Sequence, residues 1–584
     1  MLEPDKLRSH VRDRLRTESP AGPLDLDVAV VGAGVSGLYT AWRLTTGGDK
    51  PPRVQVFELL DRVGGRLESI MLPGMEIAGE LGGMRYMESQ AIIAALIEEC
   101  LSAFLQSMPF PMGDSSHRLF YGRGQRCLMD AWTKAQAQGQ TFKTRYFVPP
   151  SLDGFNADQL FNKAIYDVLV ADPWFVAHYG KKVSHPSPYE YSFQLTAADW
   201  DEVKPVLKYC FPGPYEGMRV NDLGFWNVLK DQCGQEAYEF LSVAGGYYSN
   251  TINWNAAEAF PYMVGDFSNA DTSYKTIAGG FDLIAYALAR AYFDSEDAAI
   301  WTNHALVTFE RNPEKSPRRY SLAFRNVATE ERLEVRADRI VLAMPRRSLE
   351  LLDQGNFFFD PATNTELQTN IKASVMEPAF KLLMGFEAPW WRTTLKAEAG
   401  VSVTDLPMRQ CYYFGTDPDD GHSLFLAAYN DMDPVAFWGP LEPRGGTAHK
   451  KFRGRSTHRV TKQLLDQLQA TQATSVMVAE AMKQVRELHG DESVPDPFVT
   501  YYKDWSVDPF GGGYHAWKAA IDVKAVMRFM RRPREEEAIH ICGEAYSGQQ
   551  GWVEGALCVA ERMLQEQFGL SHPSWLPSDY YLGW

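Results

Sequence analysis

The chain has 584 residues, 45% of them hydrophobic, and a formal net charge of −16. That length buries a large core and leads us to expect two or three domains. The acidic balance argues against nucleic acid or an acidic membrane surface as a primary partner. The seven cysteines (100, 127, 210, 233, 411, 542 and 558) show no CxxC spacing. This argues against a zinc site and a disulfide framework, and their odd number fits a reducing compartment. The opening MLEPDKLRSHVRDRLRTESPAG is charged and lacks the apolar core of a signal peptide. No window nears the roughly 18 apolar residues of a membrane span. A soluble, cytoplasmic protein without a membrane partner is the expectation.

The first element is LDVAVVGAGVSGLYTAWRL, residues 26–44. Val28 to Val31 reads as a short buried strand, and Leu38, Ala41, Trp42 and Leu44 recur at helical spacing. Between them lie Gly32, Ala33, Gly34, Val35, Ser36 and Gly37. TTGGDKPP ends the helix, and RVQVFEL (53–59) is a second strand carrying Glu58, 21 residues beyond Gly37. Strand, glycine turn, helix, strand and acid make the dinucleotide-binding fingerprint in its required context. Gly32 permits the tight turn, Gly34 lets the backbone approach a pyrophosphate, and Gly37 packs the helix on the sheet. The helix N-terminus offers unpaired N–H groups to the phosphates, and Glu58 suits a ribose diol.

DRVGGRLES (61–69) sets Gly65 and Arg66 as a second backbone approach to the same ligand, with an ordinary turn as the alternative. GELGGMRYM (79–87) places Gly82, Gly83, Met84 and Arg85 together. A guanidinium among apolar neighbours is expensive to bury unless it meets an anion. Glu80 is the internal candidate and an anionic ligand the external one. Residues 90–260 read as an inserted helical region rich in aromatics. An amphipathic helix follows TIAGG at 276–280, then strands HALVTFERN, YSLAFRN and ADRIVLAMP. KLLMGF and SLFLAAY continue the strand pattern. The basic stretch 444–459 reads as a solvated loop, and 460–488 as helical. Near the C-terminus, IHICGEAYSGQQGWVEGAL repeats the logic of strand, glycine loop and helix, with Gly543, Glu544, Gly551, Trp552 and Val553.

Taken in order, VAVVGAGVSGLYTAWRL, GGRLES, GELGGMRYM, KLLMGF, DWSVDPFGGGYHAW and CGEAYSGQQGWVEGAL resemble the flavin-dependent amine oxidase superfamily. Within it the chain is most similar to the L-amino-acid oxidases and amino-acid 2-monooxygenases, from about residue 26 to 568. The implied fold is α/β (α+β overall): a Rossmann-like FAD-binding domain, a mixed-sheet substrate-binding domain and an inserted helical region. The implied boundaries are an N-terminal arm at 1–25, a discontinuous FAD domain at 26–95, 256–345 and 500–568, a helical insertion at 96–255, a substrate domain at 346–499 and a tail at 569–584.

The resemblance also implies roles. Arg85 and Tyr429 would bind the α-carboxylate of an L-amino acid, with Gly82 and Gly83 close to the flavin. Gly551 and Trp552 would supply an amine contact and an aromatic wall, with Trp505 a second wall. Lys381 would reach flavin N5 through water. Val307 would contact adenine, Glu58 the ribose, Glu544 the ribityl or pyrophosphate region, and Val553 the flavin. AYSGQQG has no cysteine where covalent-flavin monoamine oxidases carry one, so FAD is expected to bind non-covalently. The implied reaction is hydride transfer from Cα to flavin N5, with molecular oxygen as acceptor and 2-oxo acid, ammonia and hydrogen peroxide as products. Oxidative decarboxylation to an amide is the nearest alternative; an amine or polyamine oxidase, and a non-catalytic flavoprotein, are further ones. Large neutral or varied side chains are favoured, with Asp222 or Glu236 the candidates should the substrate side chain be cationic. A homodimer is expected from the family alone.

Overall fold

The computed structural model describes residues 3–46, 50–246, 251–269, 272–442 and 470–584. Its first layer is a seven-stranded sheet. Leu24–Val31 lies at its centre, parallel to Val54–Phe57 on one side and to the long strand Arg332–Ala343 on the other. Ile300–Trp301 and Ile539–Cys542 extend the parallel part. His304–Arg311 and Tyr320–Asn326 add an antiparallel edge. The second half of the central strand, Val28–Val31, is an apolar run buried on both faces, as parallel strands covered by helices must be. Helices Val35–Thr46, Leu283–Tyr292 and Val553–Phe568 cover one face. The N-terminal helix Pro4–Arg12 is tied to them by the ion pair of Arg8 with Asp282, 2.6 Å.

The second layer is an eight-stranded sheet around Ala379–Phe386, which is buried along its whole length and flanked by Ser423–Asp431 and Val499–Asp504. Gln410–Thr416 and Gly400–Thr404 continue it. The helical region 157–262 packs on it through a large aromatic core that includes Phe161, Phe225, Trp254 and Phe260.

Long-range pairing and packing move three of the expected boundaries. Leu119–Gly122 and Gln125–Leu128, expected within the helical insertion, are strands that complete the eight-stranded sheet. Residues 499–504, placed with the FAD domain from 500, pair with Ala379–Phe386 instead. Residues 346–371, placed with the substrate domain, bury Leu349, Phe358, Phe359, Leu367 and Ile371 in the same core as Leu26, Ala29 and Ile340 of the first sheet. Strand register decides the first two cases and side-chain burial the third. The basic stretch 444–459 and the start of the 460–488 helix fall outside the described residues; the remainder is helical over Ser475–His489. Among the described residues no helix is long and apolar enough to cross a membrane. All seven cysteines stand as free thiols.

Candidate active site

A cleft of about 1360 Å³, mouth included, runs along the carboxyl ends of the parallel strands. The crevice beyond the strand ends is where open α/β sheets bind nucleotides. Gly32 stands at φ +110°, and a Cβ there would lie 2.2 Å from the Ala343 carbonyl oxygen. A Cβ on Gly37 would lie 1.9 Å from Gly32 O, so both glycines are demanded by packing. Gly34 differs. A Cβ there meets nothing within 4 Å, yet Gly34 lines the cleft beside Val35 and Ser36. Its bare backbone faces space, the cradle a pyrophosphate needs.

Glu58 is buried at the end of its strand. Its two oxygens accept from Ala33 N at 2.6 Å and Leu60 N at 2.9 Å, and burial raises its pKa. Gly65 and Arg66 line the same cleft, and Arg66 meets Glu544 at 3.0 Å. Glu544 also accepts from His515 Nδ1 at 2.6 Å and Gly551 N at 2.9 Å. Burial opposes its charge, but His515 and Arg66 override it and hold the carboxyl down to about 2. Gly543, Glu544, Gly551, Trp552, Val553 and Ala556 bring the C-terminal loop and the following helix N-terminus to the same cleft. The two glycine loops, some 500 residues apart in sequence, thus frame one cavity.

A second cavity of about 560 Å³ adjoins it and shares Gly83, Tyr514, Gly551, Trp552 and Val553 with the first. Met84, Arg85, Tyr262, Phe281 and Tyr429 complete its wall. Arg85 is 8% exposed. Its Cζ lies 4.0 Å from the ring centroid of Tyr274, and its Nη1 points at Met112 Sδ, 3.0 Å away. The internal alternative, Glu80, is engaged elsewhere: it accepts from Phe281 N at 2.7 Å and Ser69 Oγ at 2.7 Å. Tyr429 faces the cavity from strand Ser423–Asp431, in register with Lys381 on the neighbouring strand. Lys381 Nζ donates to Gly82 O at 2.6 Å and Glu80 O at 3.2 Å, and lies 4.4 Å from the Tyr429 ring centroid. Burial pushes the Lys381 amine down and the Glu80 carboxyl up.

Several expectations need correction. Trp505 lines neither cavity. It donates from Nε1 to Leu81 O at 2.7 Å, packs on Phe510, and is a core residue beneath the GELGG segment. Tyr262 and Tyr514 supply aromatic wall in its stead. Val307 is the extra residue of a bulge between Leu306 and Thr308, and the wall there is made by His304, Ala305 and Leu306; bulges re-aim side chains. Gly82 is demanded by packing, since its Cβ would lie 2.1 Å from Arg66 O. Ala33, Gly37 and Gly82 support the cleft from behind, and Met84 and Arg85 belong to the second cavity. Asp222 and Glu236 are bound to Arg219 and Arg123, 2.9 and 2.5 Å, and line neither cavity.

Asp266, Tyr274 and His515 stand at the site without having been legible in the sequence. Asp266 is 4% exposed and accepts from the Tyr274 hydroxyl. Burial raises its pKa to about 6, against the pull of Tyr274, Arg85 and Trp552. Asp266 and Tyr274 lie outside every motif quoted above, and His515 sits inside DWSVDPFGGGYHAW without having been singled out; the pairing of Tyr274–Ile277 with Tyr86–Met87 brings Tyr274 to Arg85.

The chain matches the family of flavin-containing amine oxidoreductases over residues 35–174, 218–444 and 451–563. It belongs to that family. The protein is therefore an oxidoreductase that takes a flavin cofactor. The chain is 24% identical to achacin of Lissachatina fulica, over 95% of each chain. It is 22% identical to L-amino-acid oxidase 4 of Hebeloma cylindrosporum, over 95% of this chain and 84% of that one. The solved structure of putrescine oxidase bound to putrescine superposes with a TM-score of 0.62 at 17% identity, covering 94% of this chain and 100% of that one. That likeness speaks to the fold.

Proposed function

We propose that this flavoenzyme oxidises L-amino acids at Cα to 2-oxo acids, with release of ammonia and reduction of oxygen to hydrogen peroxide. The observation that carries the reading is Arg85: a buried guanidinium lining a small cavity that adjoins the cofactor cleft, with Tyr429 on the same wall. A planar fork of N–H donors matches a carboxylate better than an ammonium point charge does. A substrate without a carboxylate would make no use of that fork of donors, which disfavours simple amines and polyamines. Relatives named L-amino-acid oxidases support the same direction.

We take the cofactor to be FAD, held non-covalently. The bare backbone of Gly34, the carboxylate of Glu58, the Arg66 guanidinium and the helix N-terminus at Val553 fit a dinucleotide, and among the described residues no cysteine lines the cleft. Bound FAD supplies the acceptor for the two electrons and the Cα hydrogen. The protein binds and orients. Arg85 and Tyr429 fix the carboxylate, Trp552 and Tyr514 flank the substrate, and the apolar wall excludes water. Such positioning is worth up to about 7–11 kcal/mol in favourable cases. Product analysis tests the reading against a 2-monooxygenase. Peroxide and 2-oxo acid in equal amounts are expected; carbon dioxide and amide would overturn it.

Lys381 sits behind residues 82–84 with its amine depressed by burial, poised to move a proton at Nζ. We expect Lys381→Met to slow turnover in air by about 10², the lower end of general acid–base contributions. Flavin content by absorbance should stay at the wild-type level. A variant with wild-type turnover would remove Lys381 from the chemistry.

A further inference from the structure

Arg85 has the right group for a carboxylate, but a long side chain must also be held still. The strand pair provides part of that. Tyr86–Met87 pairs antiparallel with Tyr274–Ile277, with Tyr274 opposite Met87, and this register brings the Tyr274 ring beside the Arg85 side chain. The guanidinium lies 4.0 Å from that ring's centroid. The same ring stacks on Trp552, at 6.2 Å between centroids and 12° between planes. One tyrosine therefore contacts both the carboxylate-binding side chain and the aromatic wall.

A ring fixed only at its Cβ can still swing. The far end of Tyr274 is pinned because its hydroxyl donates to Asp266. Asp266 is itself held: its carbonyl accepts from Asn269 N at 3.2 Å and Thr272 Oγ1 at 3.3 Å, within a π-helical turn. Its second carboxylate oxygen is buried without a hydrogen bond of normal geometry, and the Trp552 side chain lies close enough to favour the charged form. A buried carboxylate is costly unless it meets donors or charge, and here the compensation comes from the Arg85, Tyr274 and Trp552 group.

We propose that Asp266 is a positioning residue for substrate binding, which acts through the Tyr274 hydroxyl to hold Arg85 and Trp552 in the geometry that receives a substrate carboxylate. The inference rests on the reading of Arg85 as the carboxylate site. Asp266 lines neither cavity, and its effect passes through one hydrogen bond.

The test uses the FAD-loaded full chain, with benzoate as a carboxylate lacking an amine and benzamide as its neutral counterpart. Both are titrated by their perturbation of the flavin spectrum. Asp266→Asn removes the charge but keeps an oxygen that accepts from Tyr274. Asp266→Ala removes both, and Tyr274→Phe removes the donor while keeping the ring. The charge beside Arg85 changes equally in the two Asp266 variants, so their comparison isolates the hydrogen bond. We expect Asp266→Ala to bind benzoate roughly fivefold more weakly than Asp266→Asn, the scale of one neutral hydrogen bond. Tyr274→Phe should weaken benzoate by a similar factor relative to wild type. Benzamide should bind every variant within about twofold of wild type. Equal benzoate affinity in Asp266→Asn and Asp266→Ala would overturn the proposal. So would parallel loss of benzoate and benzamide, which would mark a general structural role. Should Asp266→Ala fail to fold, Tyr274→Phe decides alone: benzoate affinity equal to wild type would overturn the proposal. Arg85→Met separates the premise: unchanged benzoate binding there would overturn the carboxylate reading itself, whatever the Asp266 variants do.

Discussion

Arg85→Met should lower kcat/KM for L-amino acids by about 10²–10³, the scale of truncating one partner of a buried, hydrogen-bonded charge pair. Methionine keeps much of the apolar stem while removing the guanidinium that lies over Tyr274 and Phe110, so the fold and flavin content should hold. The loss should appear in both parameters. KM rises because the anion loses its partner. The limiting rate of anaerobic flavin reduction falls because Cα is no longer fixed, and misplacement by about 1 Å can cost around 10²-fold. Arg85→Lys should recover part of the affinity and less of the rate, since an ammonium lacks the planar fork. Stopped-flow reduction across amino acid concentration separates the two. A variant with unchanged reduction kinetics would place the carboxylate elsewhere.

The second large effect concerns the cofactor. Gly32, Gly34 and Gly37 are all glycines of one turn, yet the structure separates their duties. Gly32→Ala drives a methyl into the Ala343 carbonyl at a backbone angle of +110°, and Gly37→Ala drives one into Gly32 O. Both should disturb the sheet itself. Gly34→Val meets no protein atom within 4 Å of the new Cβ, but it fills the space a pyrophosphate would take. We expect Gly34→Val to fold and to emerge colourless, with the apoprotein melting within a few degrees of wild-type apoprotein. Gly34→Ala should lie between the two. Absorbance at flavin wavelengths per mole of protein, read beside the melting curve, checks this. A yellow Gly34→Val protein would mean that the pyrophosphate does not pass this turn.

The cofactor cleft was largely legible because its parts are local. Gly32 through Glu58 lie within one strand–helix–strand unit, and Gly543 through Val553 within another. Each states its geometry through short spacing. What was illegible depends on pairing across long separations. Tyr274 lies near Arg85 through the register of Tyr274–Ile277 with Tyr86–Met87, and Asp266 comes with it through a turn that has no sequence signature. Trp505 shows the opposite error. Its motif is recognisable, but its indole turns to the Leu81 carbonyl and the core. Val307 misses the wall because a bulge is invisible to strand periodicity. The strands at 119–128 are absorbed into a helical reading because their partner, Gly400–Thr404, lies far along the chain.

The most direct measurement is anaerobic titration of the purified yellow protein with a large neutral L-amino acid, and in parallel with the amine left when its carboxyl group is removed. The account predicts that the amino acid bleaches the flavin and that the amine, at the same concentration, leaves it oxidised. Bleaching by the amine at an equal rate would contradict it.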